Sequence, residues 1–313
     1  MKIIINKKKV IDTSKKPLII AEISANHNGN KKLFLELIKR AHRSGADLIK
    51  IQTYEPKDIV LKNISQNHKI SGGLWKNKNL WDLYNNAQTP FDWHNDAFKL
   101  SKKIGATIFS TPFNIRALKF LKKYNMPVYK IASLEITDLN LVKEIAKTKK
   151  PVIISTGGAN YKEIKKAVSL IKKYHSKIII LHCVSGYPTP ENEVNLSTIN
   201  LIKKKFNTKF VGLSDHTKYI NTSLASLFYG VCIIEKHFKL NNNIETLDSK
   251  FSLNEKEFTN LVKKSKIYYN MIGKPNFKIK KSEKETLTFR RSIYSIKKIK
   301  KNGKFTKKNI STF

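Results

Sequence analysis

Long apolar runs, acidic side chains and cysteines are all scarce in this 313-residue chain. No apolar stretch reaches the roughly eighteen residues that a membrane-spanning helix needs, so no span is expected. The opening residues, MKIIINKKKVIDTSKK, are basic but have neither an apolar centre nor a small-residue cleavage site. They do not read as a secretory leader. The two cysteines, Cys183 and Cys232, stand inside apolar, strand-like runs. They read as small buried hydrophobes in a reducing compartment rather than as a disulfide, and the expectation is a cytoplasmic globular protein.

Acidic residues number 23 against 61 basic ones, a formal net charge of +38. Such an excess suits nucleic acid, an anionic membrane surface or an anionic substrate. The abundance of lysine, asparagine and isoleucine also admits a plainer cause, AT-rich coding. The lysines are scattered singly and in pairs, without an aromatic-basic ladder or helix-turn-helix spacing, which leaves a basic, non-catalytic binding protein as the weaker alternative. Segment 261–313 is denser, with 17 basic and 2 acidic residues.

What the chain does have is a regular alternation. After a leading hairpin (2–5 with 10–11), short apolar runs recur at 18–23, 47–53, 106–111, 128–133, 152–156, 178–184, 209–213 and 231–235. The runs are rich in β-branched residues and have few polar interruptions, as strands covered on both faces do. Helical patterns fill the intervals, and Gly45, Gly105 and Gly230 mark helix ends. A long insertion, Tyr54 to Asp92, carries Trp75, Trp81 and Tyr84 and reads as ordered cover over one end of the domain. Eight β/α units without a Gly-rich dinucleotide loop predict a closed (β/α)8 TIM barrel rather than a doubly wound sheet.

In such a barrel the site lies at the C-terminal ends of the strands. Those ends hold Glu22, Lys50, Gln52, Thr111, Lys130, Ser133, Ser155, Tyr187, Ser214, His216, Glu235 and His237. A lysine pointing into a barrel requires an anion or a carbonyl, so Lys50 and Lys130 suggest an anionic substrate. A Schiff base is the rival role for Lys130. Hydroxyls at Thr111, Ser133, Ser155 and Ser214, with the backbone around Gly157-Gly158, would hold phosphate or carboxylate oxygens. Any one of them alone is an ordinary strand-end cap. His216 and His237 end two strands joined by one helical segment, which brings the imidazoles to one rim. Two readings stay open for them: a borderline divalent metal site, or ordinary histidines finishing strands.

Ordered motifs then match a family. They are Ala21-Glu-Ile-Ser-Ala-Asn-His-Asn-Gly29, Lys50-Ile-Gln-Thr53, Ser110-Thr-Pro-Phe113, Lys130-Ile-Ala-Ser133, Ser155-Thr-Gly-Gly158, His182-Cys-Val-Ser-Gly-Tyr-Pro188, Gly212-Leu-Ser-Asp-His-Thr217 and Glu235-Lys-His-Phe238. Over about residues 15–313 the chain resembles the sialic acid synthase family, which condenses phosphoenolpyruvate with an amino-sugar aldehyde. The form of the first motif and the GGLW…LWDLYNNAQTPFDWH insertion resemble the branch acting on 2,4-diacetamido-2,4,6-trideoxy-L-altrose, with N-acetylneuraminate and legionaminate synthesis as alternatives. The resemblance implies that His216 and His237 ligate a divalent ion, usually manganese, with magnesium or cobalt as alternatives. It implies that Lys50, Thr111, Lys130, Ser133, Ser155 and Ser214 hold phosphoenolpyruvate, while Glu22, Tyr187 and Asp248 face the sugar and the metal-bound water. Gln52 and Glu235 are further members of the set.

The same resemblance implies a barrel over 1–275 and, over 276–313, a linker and part of an antifreeze-like (SAF) domain, with Phe289-Arg-Arg-Ser-Ile-Tyr294 as its start. In the family that domain crosses a homodimer interface and lends an arginine to the partner's site. Here Arg290 or Arg291 is the candidate, and about half the module is expected to be missing.

Overall fold

The computed structural model describes residues 1–62 and 69–313. The chain separates into two compact units, Met1–Ile272 and Gly273–Phe313. In the first, a short antiparallel hairpin, β1 (Lys2–Ile4) and β2 (Val10–Asp12), precedes eight parallel strands. These are β3 (Leu18–Glu22), β4 (Leu48–Thr53), β5 (Ile108–Pro112), β6 (Tyr129–Ile131), β7 (Val152–Ser155), β8 (Ile178–Cys183), β9 (Val211–Asp215) and β10 (Ile233–His237). Their hydrogen-bonded order is β5-β4-β3-β10-β9-β8-β7-β6. The two ends of that order, β5 and β6, lie against each other, which brings the sheet round into the expected (β/α)8 barrel.

Local chemistry explains the helices between the strands. In α1 (Lys31–Arg43) the buried residues are Phe34, Leu37, Ile38 and Ala41, one stripe at helical spacing. Burying each of the larger ones stabilises the layer by roughly 1.5–3 kcal/mol. Asn30 caps that helix by accepting from the Leu33 amide. The insertion contributes α2 (Leu80–Ala87). Then come α3 (Trp93–Ile104), α4 (Ile115–Lys122), α5 (Leu139–Ala146), α6 (Tyr161–Lys172) and α7 (Thr198–Phe206). Asn114 caps α4, and Asn160 with Glu163 forms a capping box on α6. The interval 218–230 folds as α8 (Asn221–Ser226) and a 3-10 turn, Leu227–Tyr229, ended by Gly230 at φ 63°. The long α9 (Glu255–Ile272) closes the unit.

The leading hairpin seals the N-terminal end of the barrel. Its Ile3, Ile5 and Ile11 are buried, Lys9 pairs with Asp47 at 2.6 Å, and the Asn6 amide donates to Thr107 at 3.0 Å. The opposite end is covered by the insertion. Trp75 Nε1 donates to the Leu247 carbonyl at 3.2 Å, and its ring lies 5.4 Å from Tyr187. Residues 63–68 of the insertion lie outside the described residues.

Three strand boundaries differ from the sequence reading in an informative way. β9 and β10 each run two residues further than their apolar cores, taking in Ser214-Asp215 and Lys236-His237. Polarity marked those residues as the strand ends, but they are buried inside the protein. Conversely, β6 stops at Ile131, because Ala132 and Ser133 lead into a 3-10 turn at Leu134–Thr137.

The second unit holds two 3-10 turns, Lys281–Glu283 and Glu285–Phe289, and an antiparallel hairpin, β11 (Ile293–Ser295) with β12 (Ile310–Thr312). Phe277, Phe289 and Phe305 are exposed. Among the described residues no helix is long and apolar enough to cross a membrane.

Candidate active site

A cavity opens at the C-terminal ends of the barrel strands, and alternation along each strand decides which residues reach it. Of the expected site residues, Lys50, Gln52, Lys130, Ser133, Ser155, Tyr187, Ser214, His216, Glu235, His237 and Asp248 line it. Glu22 and Thr111 do not. Both are buried just beside it, Glu22 next to Lys50 and Thr111 next to Gln52 in the strand register. Arg290 and Arg291 belong to the second unit and are exposed there.

The electrostatic centre is Glu235. Lys50 Nζ lies 2.8 Å from Glu235 Oε1, and Lys130 Nζ donates to both carboxylate oxygens at 3.0 and 3.2 Å. The Ser214 hydroxyl donates to the same carboxylate at 3.2 Å. Glu22 Oε2 lies 2.7 Å from Lys50 on the other side. Burial would raise the Glu235 carboxyl, but Lys130 and Lys50 outweigh it and hold the group below the usual carboxylate range. For Lys50 burial wins: it lowers the ammonium to about 7 despite the attraction of Glu235.

Around this centre stand buried polar atoms that find no hydrogen-bond partner among the described residues. They are the Thr111 and Ser155 hydroxyls, Glu22 Oε1 and His237 Nδ1, while Glu22 Oε2 is held by Lys50. Buried polar groups are normally satisfied, so a cluster of unsatisfied ones beside two lysines marks a place for a polar, anionic ligand.

The histidines form a second feature. Their ring centroids lie 5.4 Å apart. His216 Nδ1 is 2.9 Å from the Val184 carbonyl, which can only accept, so that nitrogen carries the proton and Nε2 is free to bind a metal. His237 Nδ1 lies 3.7 Å from Asp248 Oδ2. Burial, then His216, pushes His237 well below its ordinary value and keeps it neutral, the form a metal needs. No cluster of three His, Cys, Asp or Glu suited to a metal occurs among the described residues. The two imidazoles, neutral nitrogen donors at one rim, are the groups that would be available to a divalent ion there. Burial also raises the Asp248 carboxyl, although the Ala25 amide donates to it at 3.1 Å.

Several lining residues escaped the sequence reading. Glu135 faces the cavity from the turn after β6, and burial raises its carboxyl to about 7. Its only signal in the sequence is its place two residues beyond Ser133. The outer wall is apolar and aromatic: Tyr54, Trp75, Leu83, Tyr84, Phe113, Leu247 and Phe251. Trp75 and Tyr84 were legible only as aromatic content of the insertion. Cys183, expected to be an inert hydrophobe, lies with its sulfur 3.4 Å from the Ser133 hydroxyl and 3.8 Å from His216 Nδ1.

A barrel with a lysine-rich floor, free hydroxyls and a histidine pair at this rim defines a class of (β/α)8 proteins built to grip a small anion beside a second, bulkier ligand. The chain belongs to the NeuB family, whose model matches residues 37–277. A pseudaminic acid synthase of Campylobacter jejuni is 40% identical over 302 residues, spanning 96% of this chain and 88% of that protein. An N,N'-diacetyllegionaminic acid synthase of Campylobacter jejuni is 35% identical over 302 residues, spanning 95% and 90%. The crystal structure of an N-acetylneuraminic acid synthetase from Leptospira borgpetersenii superposes with a TM-score of 0.82 at 31% identity, covering 93% of this chain and 96% of that one.

Proposed function

We propose that this chain is a pseudaminic acid synthase. It condenses phosphoenolpyruvate, 2,4-diacetamido-2,4,6-trideoxy-L-altrose and water to pseudaminic acid and phosphate, with cleavage of the C–O bond of the enol phosphate. The observation that carries the reading is the unpartnered buried Ser155 hydroxyl in the same cavity as Lys50 and Lys130, with the unpartnered Thr111 hydroxyl next to Gln52 at its edge. The 40% identity to a pseudaminic acid synthase supports the choice of sugar.

In this reading Lys50, Lys130, Thr111, Ser133, Ser155 and Ser214 hold the phosphate and carboxylate oxygens of phosphoenolpyruvate. Their positions are set before the substrate arrives, so little reorganisation is needed as charge moves. His216 and His237 hold a divalent ion, which supplies Lewis-acid polarisation of the sugar aldehyde when bound. The enol carbon attacks that aldehyde, water adds at the carbon bearing phosphate, and phosphate leaves. Glu135, titrating near 7, is suited to take a proton from the incoming water and return it to a departing oxygen. Gln52, Tyr187 and Asp248 orient the sugar, Glu22 acts on the site through its ion pair with Lys50, and the apolar wall excludes bulk water. A homodimer in which Arg290 or Arg291 serves the partner's cavity belongs to the same proposal; the exposure of both residues supports it.

The test is incubation with manganese, phosphoenolpyruvate and the altrose, reading phosphate release and product mass. Release of phosphate with a product of pseudaminic acid mass is expected. No turnover with any amino-sugar aldehyde refutes the reading. Faster turnover with the legionaminic or N-acetylmannosamine precursor moves the activity elsewhere within the family.

A further inference from the structure

Behind the two histidines, on the helix side of the barrel wall, lies a buried ion pair that the proposed chemistry does not use. Asp215 and Lys236 immediately precede His216 and His237, and they face each other in the parallel register of β9 and β10. Ser214 and Glu235, one residue earlier, line the cavity, so Asp215 and Lys236 face away from it. Lys236 Nζ lies 3.1 Å from Asp215 Oδ2, and both side chains are fully shielded at 0% exposure. One step earlier on that face the register pairs two buried aliphatic residues, Leu213 and Ile234. A charged pair in such a layer is expensive to desolvate and is weak evidence for stability in itself.

What the pair does is fix the backbone on both sides of His216. Asp215 Oδ1 accepts from the Thr217 amide and hydroxyl, each at 2.8 Å. Its Oδ2 accepts from the Ser223 hydroxyl of α8. Lys236 Nζ donates to the Thr217 carbonyl at 2.5 Å. The strand that carries His237 is thus tied by its own lysine to the residue following His216. His216 itself is aimed by its bond to the Val184 carbonyl, with the Cys183 sulfur and the Tyr187 ring beside it, and His237 Nδ1 has no hydrogen-bond partner among the described residues.

We propose that Asp215 and Lys236 are positioning residues that hold the two imidazoles at the separation a divalent ion requires. The inference rests on the reading of His216 and His237 as metal ligands. A network of this kind tunes ion affinity without touching the ion, and losses of about 10–100-fold are usual when one is removed.

The experiment measures manganese binding alone, by the loss of the free-ion electron paramagnetic resonance signal. Phosphoenolpyruvate binding without metal is measured in parallel by calorimetry. Lys236→Met leaves Asp215 unpaired and risks misfolding. The Asp215→Asn/Lys236→Gln double variant removes both charges, keeps hydrogen-bonding groups and is the second arm. In a variant that keeps the wild-type circular dichroism, manganese affinity is expected to fall about 10–100-fold. Phosphoenolpyruvate affinity should stay within about threefold, because its lysines and hydroxyls stand on the other face. Unchanged manganese affinity in a folded variant overturns the proposal. So does an equal loss of both affinities, which marks a general structural role. If the wild-type chain binds no manganese, the metal reading fails first and the positioning role with it.

Discussion

Replacing Glu235 by glutamine tests the electrostatic centre most directly. The substitution preserves shape but removes the negative charge shared by Lys50 at 2.8 Å, Lys130 at 3.0 Å and the Ser214 hydroxyl at 3.2 Å. Lys50 keeps Glu22 at 2.7 Å, so Lys130 is the group left uncompensated. Stranding a buried charge costs about 3–5 kcal/mol, and with one lysine still paired the lower end applies. For a domain of this size, each kcal/mol lowers the melting temperature by about 2–4 °C, so a drop of about 6–12 °C is expected. The variant cavity is also more positive, and inorganic phosphate should stabilise it more than it stabilises wild type at equal concentration. Saturation at a hundredfold excess over Kd is worth about 2.7 kcal/mol, enough to recover most of the loss. Thermal melts of both proteins with and without phosphate decide the matter. A variant melting within about 1 °C of wild type, or equal shifts from phosphate, would refute the reasoning.

Ser155→Ala removes a hydroxyl that has no partner among the described residues. Folding stability should hold steady, while phosphoenolpyruvate affinity falls about 10–150-fold, as for one lost hydrogen bond to a charged group; a loss of stability without a loss of affinity contradicts the assignment. Glu135 has its carboxyl raised from 4.5 to about 7, so between those values the folded state keeps a proton that the unfolded chain has released. Its contribution to stability is full below 4.5 and is lost as pH rises through 7; urea midpoints across that window should flatten in Glu135→Gln, and an unaltered slope argues against the shift. His216→Ala and His237→Ala should each lower manganese affinity at least about tenfold in a direct binding titration, and wild-type affinity in both would dismiss the pair as ligands. Mixing a chain ended near Pro275 with a His216→Ala chain should restore activity if Arg290 or Arg291 serves a partner's barrel; mixed dimers that form without activity exclude it.

Much of the fold was legible because its elements are locally encoded. Val152-Ile-Ile and Ile178-Ile-Ile-Leu are apolar on both faces, the pattern of a strand under helices, and the stripe of Phe34, Leu37 and Ile38 belongs to a helix. The rim residues followed from the architecture, since a strand end in a parallel barrel has one destination. Lys50, Lys130, His216 and His237 were therefore readable as site members from their position alone.

Partnership is another matter, because it joins residues far apart in the chain. Lys130 meets Glu235 across 105 positions, and Asn26 bonds Ser252 across 226. Glu135 reaches the cavity only because β6 ends early and turns, and no periodicity announces that turn. Asp215 and Lys236 looked like the polar ends of strands. Only the pairing of β9 with β10 turned them into a buried ion pair behind the histidines. The amino-acid order by itself determined which side chains arrive at the rim, since strand period and β/α alternation are local properties. Tertiary structure decided which charges neutralise each other and which hydroxyls are left for a ligand, since those depend on distances set by barrel closure.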